Sequence, residues 1–179
     1  GRFALLWTLM YLGFGVVQRE RAEVFGQEIA SARGHESVVV EAKPSFGNLL
    51  LWKSIYAYAD HYYIDAIRVG RESKVFPGEV VAKLDLARDF PWLNPESQQA
   101  RDVERFRWFS AGFLAKSDAM DGLIVDMRYS MLPNNAKGLW GILLSEGAES
   151  DAHVGYRIMR EVSTPTWNTF IAMVLDKDD

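Results

Sequence analysis

Histidine and aspartate residues are the side chains of this sequence that could do acid–base or metal chemistry. His61 lies beside Asp60 and four positions before Asp65, and His153 follows Asp151 by two positions. Imidazole and carboxylate groups can together bind a divalent metal or transfer protons. Neither group has the helical i, i+4 histidine spacing of zinc proteases. Both fall at predicted turns or strand ends, where these residue types are also common for structural reasons.

Asp126 and Arg128 form a further polar pair, on one face of a predicted strand. They could bind a polar ligand, but mutual ion pairing is the simpler interpretation. An independent enzyme would need its polar groups in one cleft. The residues that could converge in such a pocket are Asp60, His61, Asp65, Asp126, Arg128 and His153. From the sequence we assign none of them as a catalytic residue or a metal ligand.

The composition excludes several classes of function. The chain has 179 residues, no cysteine and a net charge of −4. The lack of cysteine excludes disulfides, thiolate zinc sites and thiol nucleophiles. The acidic balance argues against nucleic-acid binding, which needs a basic surface. The sequence contains no P-loop, no G-x-G-x-x-G fingerprint and no G-x-S-x-G nucleophile motif.

The first element that must be placed is an apolar segment, Phe3–Val17, which carries no charge. As a helix it would be about 22 Å long, against a bilayer core of about 30 Å, so it is too short to span alone. We expect it to be the end of a transmembrane helix whose start precedes this sequence. A buried core helix is the alternative. Gln18–Arg33 is rich in helix-forming residues and Gly34 is a plausible stop, so we predict one helix over residues 3–33.

The remaining sequence predicts an α+β domain. Residues 1–35 are interpreted as the end of a transmembrane helix and an amphipathic connector helix, and residues 36–179 as a soluble α+β domain. Asn94-Pro95 and Thr164-Pro165 are helix-start signals, and the first of these helices is expected to reach Lys116. The predicted strands are Val38–Val40, Leu49–Tyr58, Tyr62–Val69, Lys74–Leu84, Leu123–Ser130, Gly138–Leu144 and Val154–Ile158. We expect an antiparallel sheet with helices packed on one face.

Several longer segments resemble those of one bacterial membrane protein family. The segments are YLGFGVVQRERA at Tyr11–Ala22, RGH at Arg33–His35, PSFGNLLLWKSIY at Pro44–Tyr56, YYIDAIRVG at Tyr62–Gly70, LDLARDFPWL at Leu84–Leu93, SQQARDVERFRWFS at Ser97–Ser110, DMRYSMLPN at Asp126–Asn134 and LWGI at Leu139–Ile142. Together they are similar to the C-terminal extramembrane extension of the YdjM-type family of bacterial inner-membrane metal-dependent hydrolases. The resemblance covers nearly the whole chain.

The resemblance implies a location but no active site. The family's proposed metal ligands are His and Asp residues of its N-terminal transmembrane portion, in segments that this sequence does not contain. It therefore implies a divalent metal for the full-length family and no cofactor in this part. It places the protein in the bacterial inner membrane. Arg19 and Arg21, which follow the apolar segment, favour the cytoplasmic side for this domain.

We therefore expect an accessory domain that binds a ligand, a partner or the membrane surface and is not catalytic by itself. Its expected partners are its own N-terminal membrane domain, the membrane and a second copy through the apolar helix, but not nucleic acid. The alternative is an independent hydrolytic pocket built from the Asp and His groups named above. A third alternative, binding of the regulator LexA, depends only on a label attached to part of the family.

Overall fold

The computed structural model describes residues 1–160 and 163–176, in which the chain forms four helices and eight strands. The helices are α1 (Arg2–Ala32), α2 (Leu86–Asp89), α3 (Gln98–Phe109) and α4 (Thr164–Leu175). The strands are β1 (Val40–Pro44), β2 (Leu51–Tyr58), β3 (His61–Val69), β4 (Ser73–Ala82), β5 (Leu114–Lys116), β6 (Leu123–Asp126), β7 (Trp140–Leu143) and β8 (Gly155–Ile158). The α+β class is therefore confirmed.

The strands form two antiparallel sheets rather than the single sheet that we predicted. The first sheet has the order β1-β2-β3-β4 and the second the order β5-β6-β7-β8. The two sheets pack face to face, since Ile55 and Ile64 share a core cluster with Leu123 and Val125. After β4 the chain forms α2 and α3 and then enters the second sheet as β5, which pairs with β6. In the sequence, these two helices therefore lie between the strands of the first sheet and those of the second.

Helices cover the outer faces of both sheets, so the prediction of helices on one face only is wrong. The second half of α1 packs on the first sheet, where Ala22 contacts the cluster of Trp52 and Ile67. On the far side of the molecule α3 covers the second sheet, with Val103 against Ile124. The layers are thus helix, sheet, sheet and helix. The remaining helix, α4, packs on the inner face of the first sheet, in a cluster with Leu51 and Ala66.

The predicted long N-terminal helix is present, and its two halves differ. Buried residues recur every four positions in its second half, at Gln18, Ala22, Gly26 and Ala30. The side chains of residues 3–17 are almost all exposed. Among residues 1–160 and 163–176, no helix is both long and apolar enough to cross a membrane.

Both predicted ends of the helix after Asn94 are wrong for local reasons, and the first strand, predicted at Val38–Val40, is found at Val40–Pro44. The helix after Asn94 starts three residues later than expected, because the Ser97 hydroxyl accepts the hydrogen bond from the Ala100 N–H. It ends at Phe109 and not at Lys116, since Ala111 and Gly112 have positive φ angles that stop the helix and lead into β5. The second helix starts one residue earlier than its Thr164-Pro165 signal predicts, at Thr164, with Ser163 and not Thr164 as its N-cap.

Candidate functional site

The six polar residues singled out from the sequence occupy separate places in the fold. Asp60 lies in the exposed turn between β2 and β3, and His61 is the exposed first residue of β3. Asp65 is buried on β3, where its carboxylate accepts hydrogen bonds from both terminal nitrogens of Arg33, at 2.7 and 2.9 Å. This hydrogen-bonded ion pair raises the pKa of Arg33 against the opposing effect of burial. Asp65 therefore holds the end of α1 on the first sheet.

His153 belongs to a different pair, on the outer side of the second sheet. Its Nδ1 lies 2.7 Å from Oδ2 of Asp102, a residue of α3. Burial disfavours the ionised form of Asp102, but hydrogen bonds from His153, Gln98 and the Val154 N–H outweigh burial and lower its pKa. The imidazole itself is mostly exposed.

Asp126 and Arg128 pair with each other, as the sequence indicated. Nη2 of Arg128 lies 2.7 Å from Oδ2 of the fully buried Asp126, and this hydrogen bond raises the pKa of Arg128. The Trp140 indole N–H also donates to Asp126, at 3.3 Å. Since β6 ends at Asp126, Arg128 lies in the following turn and not on the strand that we predicted. Over the described part of the chain, the hydrogen bonds and ion pairs join only these two of the six candidates to each other. In those same residues, no group of three or more His, Asp or Glu side chains could hold a metal ion.

Lys53 is a buried polar residue that the sequence did not single out. It lies on β2 and is only 3% exposed. Its side chain points between the sheets, where Nζ donates hydrogen bonds to the Ser130 hydroxyl at 2.8 Å and to the Asn135 carbonyl at 2.7 Å. Burial lowers the pKa of Lys53 to about 7, although Glu79 and Asp126 partly oppose this effect. The only sequence signal was a single charge within the apolar run LLLWKSIYAY.

Lys53 lines a pocket of about 370 Å³, which we call the inter-sheet pocket. Its wall contains four cationic residues and, among the described residues that form it, no carboxylate. The cationic residues are Lys43, Lys53, Arg128 and Arg160. Tyr129 and Trp140 add aromatic surface, with ring centres 5.2 Å apart. The pocket thus combines one of the six sequence candidates, Arg128, with three cations that the sequence did not associate with it.

The cations of the inter-sheet pocket differ in their partners. Lys43 forms an ion pair with Glu41 at 2.8 Å, and Arg128 pairs with Asp126. The Arg160 guanidinium lies 5.6 Å from the ring centre of Trp140. In contrast, the two hydrogen bonds of the Lys53 ammonium go to neutral oxygens. Such an arrangement can bind an anion and can hold an amine that is partly unprotonated.

Two exposed apolar surfaces complete the set of candidate sites. A groove of about 1120 Å³ lies between α2 and α3, and Trp108, which is 86% exposed, forms part of its wall. The first half of α1 is the second surface, since Phe3 is 89% and Trp7 71% exposed. Contiguous apolar surfaces larger than a few hundred Å² are uncommon on soluble monomers and indicate contact with a partner or a membrane.

Comparison of the chain with protein-family models, with curated proteins and with solved structures finds no match.

Proposed function

We propose that this chain is an accessory domain of a bacterial inner-membrane metal-dependent hydrolase, held at the membrane by the first half of α1. The observation that supports this proposal is the contrast within that single helix. Residues 3–17 are apolar on every face and exposed, whereas the same helix is packed on the first sheet from Gln18 onward. A helix with this distribution has one part in the folded domain and one part that needs an apolar environment.

The bilayer is the occupant that fits the exposed half best. Transfer of a leucine or phenylalanine side chain out of water stabilises a protein by about 1.5–3 kcal/mol. Phe3, Leu5, Trp7, Leu9 and Leu12 are all more than half exposed and lie on different sides of the helix. A single partner helix would cover one side only, while lipid covers all of them. In this proposal the segment is the end of a transmembrane helix, and the membrane domain of the hydrolase precedes it.

The end of the domain from which α1 emerges also suits a membrane surface. At this level the Gln18 side chain donates hydrogen bonds to the carbonyls of Leu49 and Val69, and Arg21 donates to the carbonyl of Gly70. The loop before β2 and the chain at the end of β3, which carry these carbonyls, therefore lie beside the base of the exposed helix. Phe46, in the loop before β2, is half exposed.

The uncharged helix α4 lies at the same end. Arg68, at the end of β3, donates to the Val174 carbonyl at 3.0 Å, which fixes the C-terminal turn of α4 there. Trp167 shares a small cavity with Phe46, and both Trp167 and Leu175 are about half exposed. Exposed aromatic and aliphatic side chains on a helix form an apolar surface of the kind that contacts a partner or a membrane. These features support attachment of the domain with this end against the lipid.

The alternative, a hydrolytic pocket within this domain, has less support. Asp65 is paired with Arg33, Asp126 with Arg128 and Asp102 with His153, in three separate places. A hydrolytic site would need these groups around one bond. Probes for this alternative are p-nitrophenyl phosphate and p-nitrophenyl acetate. If this chain hydrolyses either probe, and His153→Ala or Asp126→Asn abolishes that activity, the result would favour the enzyme and contradict the accessory role.

The membrane attachment is tested by flotation of the chain with vesicles of phosphatidylethanolamine and phosphatidylglycerol. We expect the unsubstituted chain to float with the vesicles and the triple variant Leu5→Glu, Leu9→Glu, Leu12→Glu to stay in the dense fraction. The matched control places three glutamates at exposed apolar positions elsewhere, Val39→Glu, Val80→Glu and Tyr156→Glu. It should float like the unsubstituted chain.

Two results would contradict the attachment. One is equal flotation of the two triple variants. The other is that the unsubstituted chain does not bind the vesicles and sediments as a defined oligomer, whereas the triple variant in α1 sediments as a monomer. That second result would assign the apolar half of α1 to contact between copies of the chain.

A further inference from the structure

We infer that the inter-sheet pocket binds a small anionic carbonyl compound and that Lys53 captures its carbonyl group as an imine. The compound class is an aldehyde or ketone that also carries a carboxylate or a phosphate. The inference concerns a different surface from the apolar half of α1 and does not depend on attachment to the membrane.

The anionic part follows from the wall of the pocket. Lys43, Arg128 and Arg160 line it together with Lys53, and among the described residues of that wall there is no carboxylate. Arg128 is held in place from two sides, by Asp126 and by the Phe109 carbonyl at 2.9 Å. A cation that is fixed before the ligand arrives loses little side-chain entropy on binding. Because Lys43 is paired with Glu41 and Arg128 with Asp126, the positive charge offered to a ligand comes mainly from Arg160 and Lys53, which favours a ligand with one or two negative charges.

The carbonyl part follows from the placement of Lys53. Its Nζ is held by two neutral acceptors, the Ser130 hydroxyl and the Asn135 carbonyl, and by no carboxylate that would keep it charged. Lysines are made nucleophilic by desolvation, because burial favours the unprotonated amine. The lowered pKa of Lys53, about 7, agrees with this environment, although Glu79 and Asp126 partly oppose it.

The chemical step needs no further reactant. The lone pair of the unprotonated Nζ attacks the carbonyl carbon, forming a C–N bond as the carbonyl π electrons move to oxygen. A proton passes from nitrogen to that oxygen and gives a carbinolamine. Loss of the hydroxyl group and of the remaining nitrogen proton as water then leaves the C=N double bond. Water reverses the step, so the capture is an equilibrium and involves no oxidation or reduction.

The size and the aromatic surface limit the ligand further. A volume of about 370 Å³ lies near the lower end of small-molecule pockets, which span about 300–1,000 Å³. Trp140 already carries the Arg160 guanidinium on its face, and Tyr129 lies beside it. The pocket therefore suits a compact ligand, with its charged group near Arg160 and Arg128 and its carbonyl group toward Lys53.

Pyridoxal 5′-phosphate is a suitable probe because it combines an aldehyde, a phosphate and a flat ring. The folded full chain is incubated with less than one equivalent of the probe, reduced with sodium borohydride, digested and analysed by mass spectrometry. We expect Lys53 to carry most of the reduced adduct and inorganic phosphate to compete with labelling. Arg160→Gln, at an exposed position of the pocket wall, should reduce labelling of Lys53 several-fold. Lys137→Met, which removes an exposed lysine outside the pocket, should leave it unchanged.

The pH dependence of labelling separates this inference from a purely structural lysine. Labelling of Lys53 should be half-maximal near pH 7, as its pKa predicts, whereas exposed lysines should follow a pKa of about 10.4. An adduct spread over exposed lysines with Lys53 unmodified would overturn the imine. If Lys53 is labelled but neither phosphate nor Arg160→Gln reduces the labelling, the inference that the ligand is anionic is overturned. Both results are read on the unsubstituted chain or on a surface variant, so neither depends on the folding of a Lys53 variant.

Discussion

Arg33, just after the end of α1, binds the buried carboxylate of Asp65 on β3 through two parallel hydrogen bonds of 2.7 and 2.9 Å. The two residues are separated by 32 positions and join the end of α1 to β3, a central strand of the first sheet. Tyr56 extends this contact, since its hydroxyl lies 3.3 Å from Arg33 and 3.0 Å from Nδ1 of His35. The contact is therefore a polar anchor at the C-terminal end of α1, as the hydrogen bonds of Gln18 and Arg21 are near its middle.

Replacement of Asp65 by alanine should destabilise the domain by about 3 kcal/mol, because it leaves the partly buried Arg33 guanidinium without its counterion. Urea unfolding, followed by circular dichroism in a mild detergent, measures the change. The matched control is Asp60→Ala at the exposed β2–β3 turn, which should change the unfolding free energy by less than about 0.5 kcal/mol. Equal effects of the two substitutions would show that the ion pair contributes nothing to the attachment of α1.

The packing of α1 gives a second prediction, at its buried glycine. A Cβ atom on Gly26 would lie 2.8 Å from Cγ1 of Val40 and 2.9 Å from the Ser54 hydroxyl. Gly26→Val should therefore cost about 2 kcal/mol or more in unfolding free energy, as overpacked core positions do. Gly13→Val is the control on the same helix, because a Cβ there meets nothing within 4 Å. It should be neutral or slightly stabilising. A tolerated Gly26→Val would mean that α1 can shift away from the sheet at little cost.

The sequence was sufficient to predict features that depend on local patterns. The long α1, most of the strands and the Asp126–Arg128 pair all depend on residues that are close in the chain. The division into two sheets was not predictable in this way. It depends on β5, a strand of three residues, Leu114–Lys116, whose partner is set by packing. Its start is fixed by the positive φ angles of Ala111 and Gly112, which interrupt a helical pattern that otherwise continues.

The candidate sites show the same limit. Lys53 interacts with Ser130 and Asn135, which are 77 and 82 positions away, so no local pattern indicates that its amine is buried. A charged side chain in an otherwise apolar strand is normally expected on the solvent-exposed face of the sheet. Arg128 was identified, but its pocket includes Lys43 and Arg160, which only the packing of the two sheets brings near it.

The pair of Asp102 and His153 predicts a dependence of stability on acid pH. The folded state lowers the pKa of Asp102 below its ordinary value of 3.8, so its ionised form stabilises the fold. This contribution is complete well above pH 3.8 and is lost as the pH falls through the lower folded pKa. Asp102→Asn should therefore be less stable than the unsubstituted chain at pH 7, and the difference should shrink below pH 4.

Urea unfolding of both chains between pH 7 and pH 2.5 measures this difference, and other acidic groups cancel because both chains contain them. Asp118→Asn, at an exposed position, is the control and should change the unfolding free energy at pH 7 by less than about 0.5 kcal/mol. If the difference in unfolding free energy between Asp102→Asn and the unsubstituted chain does not change with pH, the charge of the Asp102 carboxylate does not stabilise the fold.

Lys53 predicts a pH dependence of the same sign, in the neutral to alkaline range. Burial lowers its pKa from 10.5 to about 7, so between these values the unfolded chain holds a proton that the folded chain has lost. Stability should then rise with pH over this range, by up to about 1.4 kcal/mol per pH unit from this one group. Lys53→Met removes the titrating amine, so the stability of the unsubstituted chain relative to the variant should increase steadily from pH 7 to pH 10. Lys137→Met, at an exposed site, serves as the control and should stay parallel to the unsubstituted chain. If Lys53→Met also stays parallel, the amine is not desolvated in the folded state, and its nucleophilic role in the inter-sheet pocket loses its physical basis.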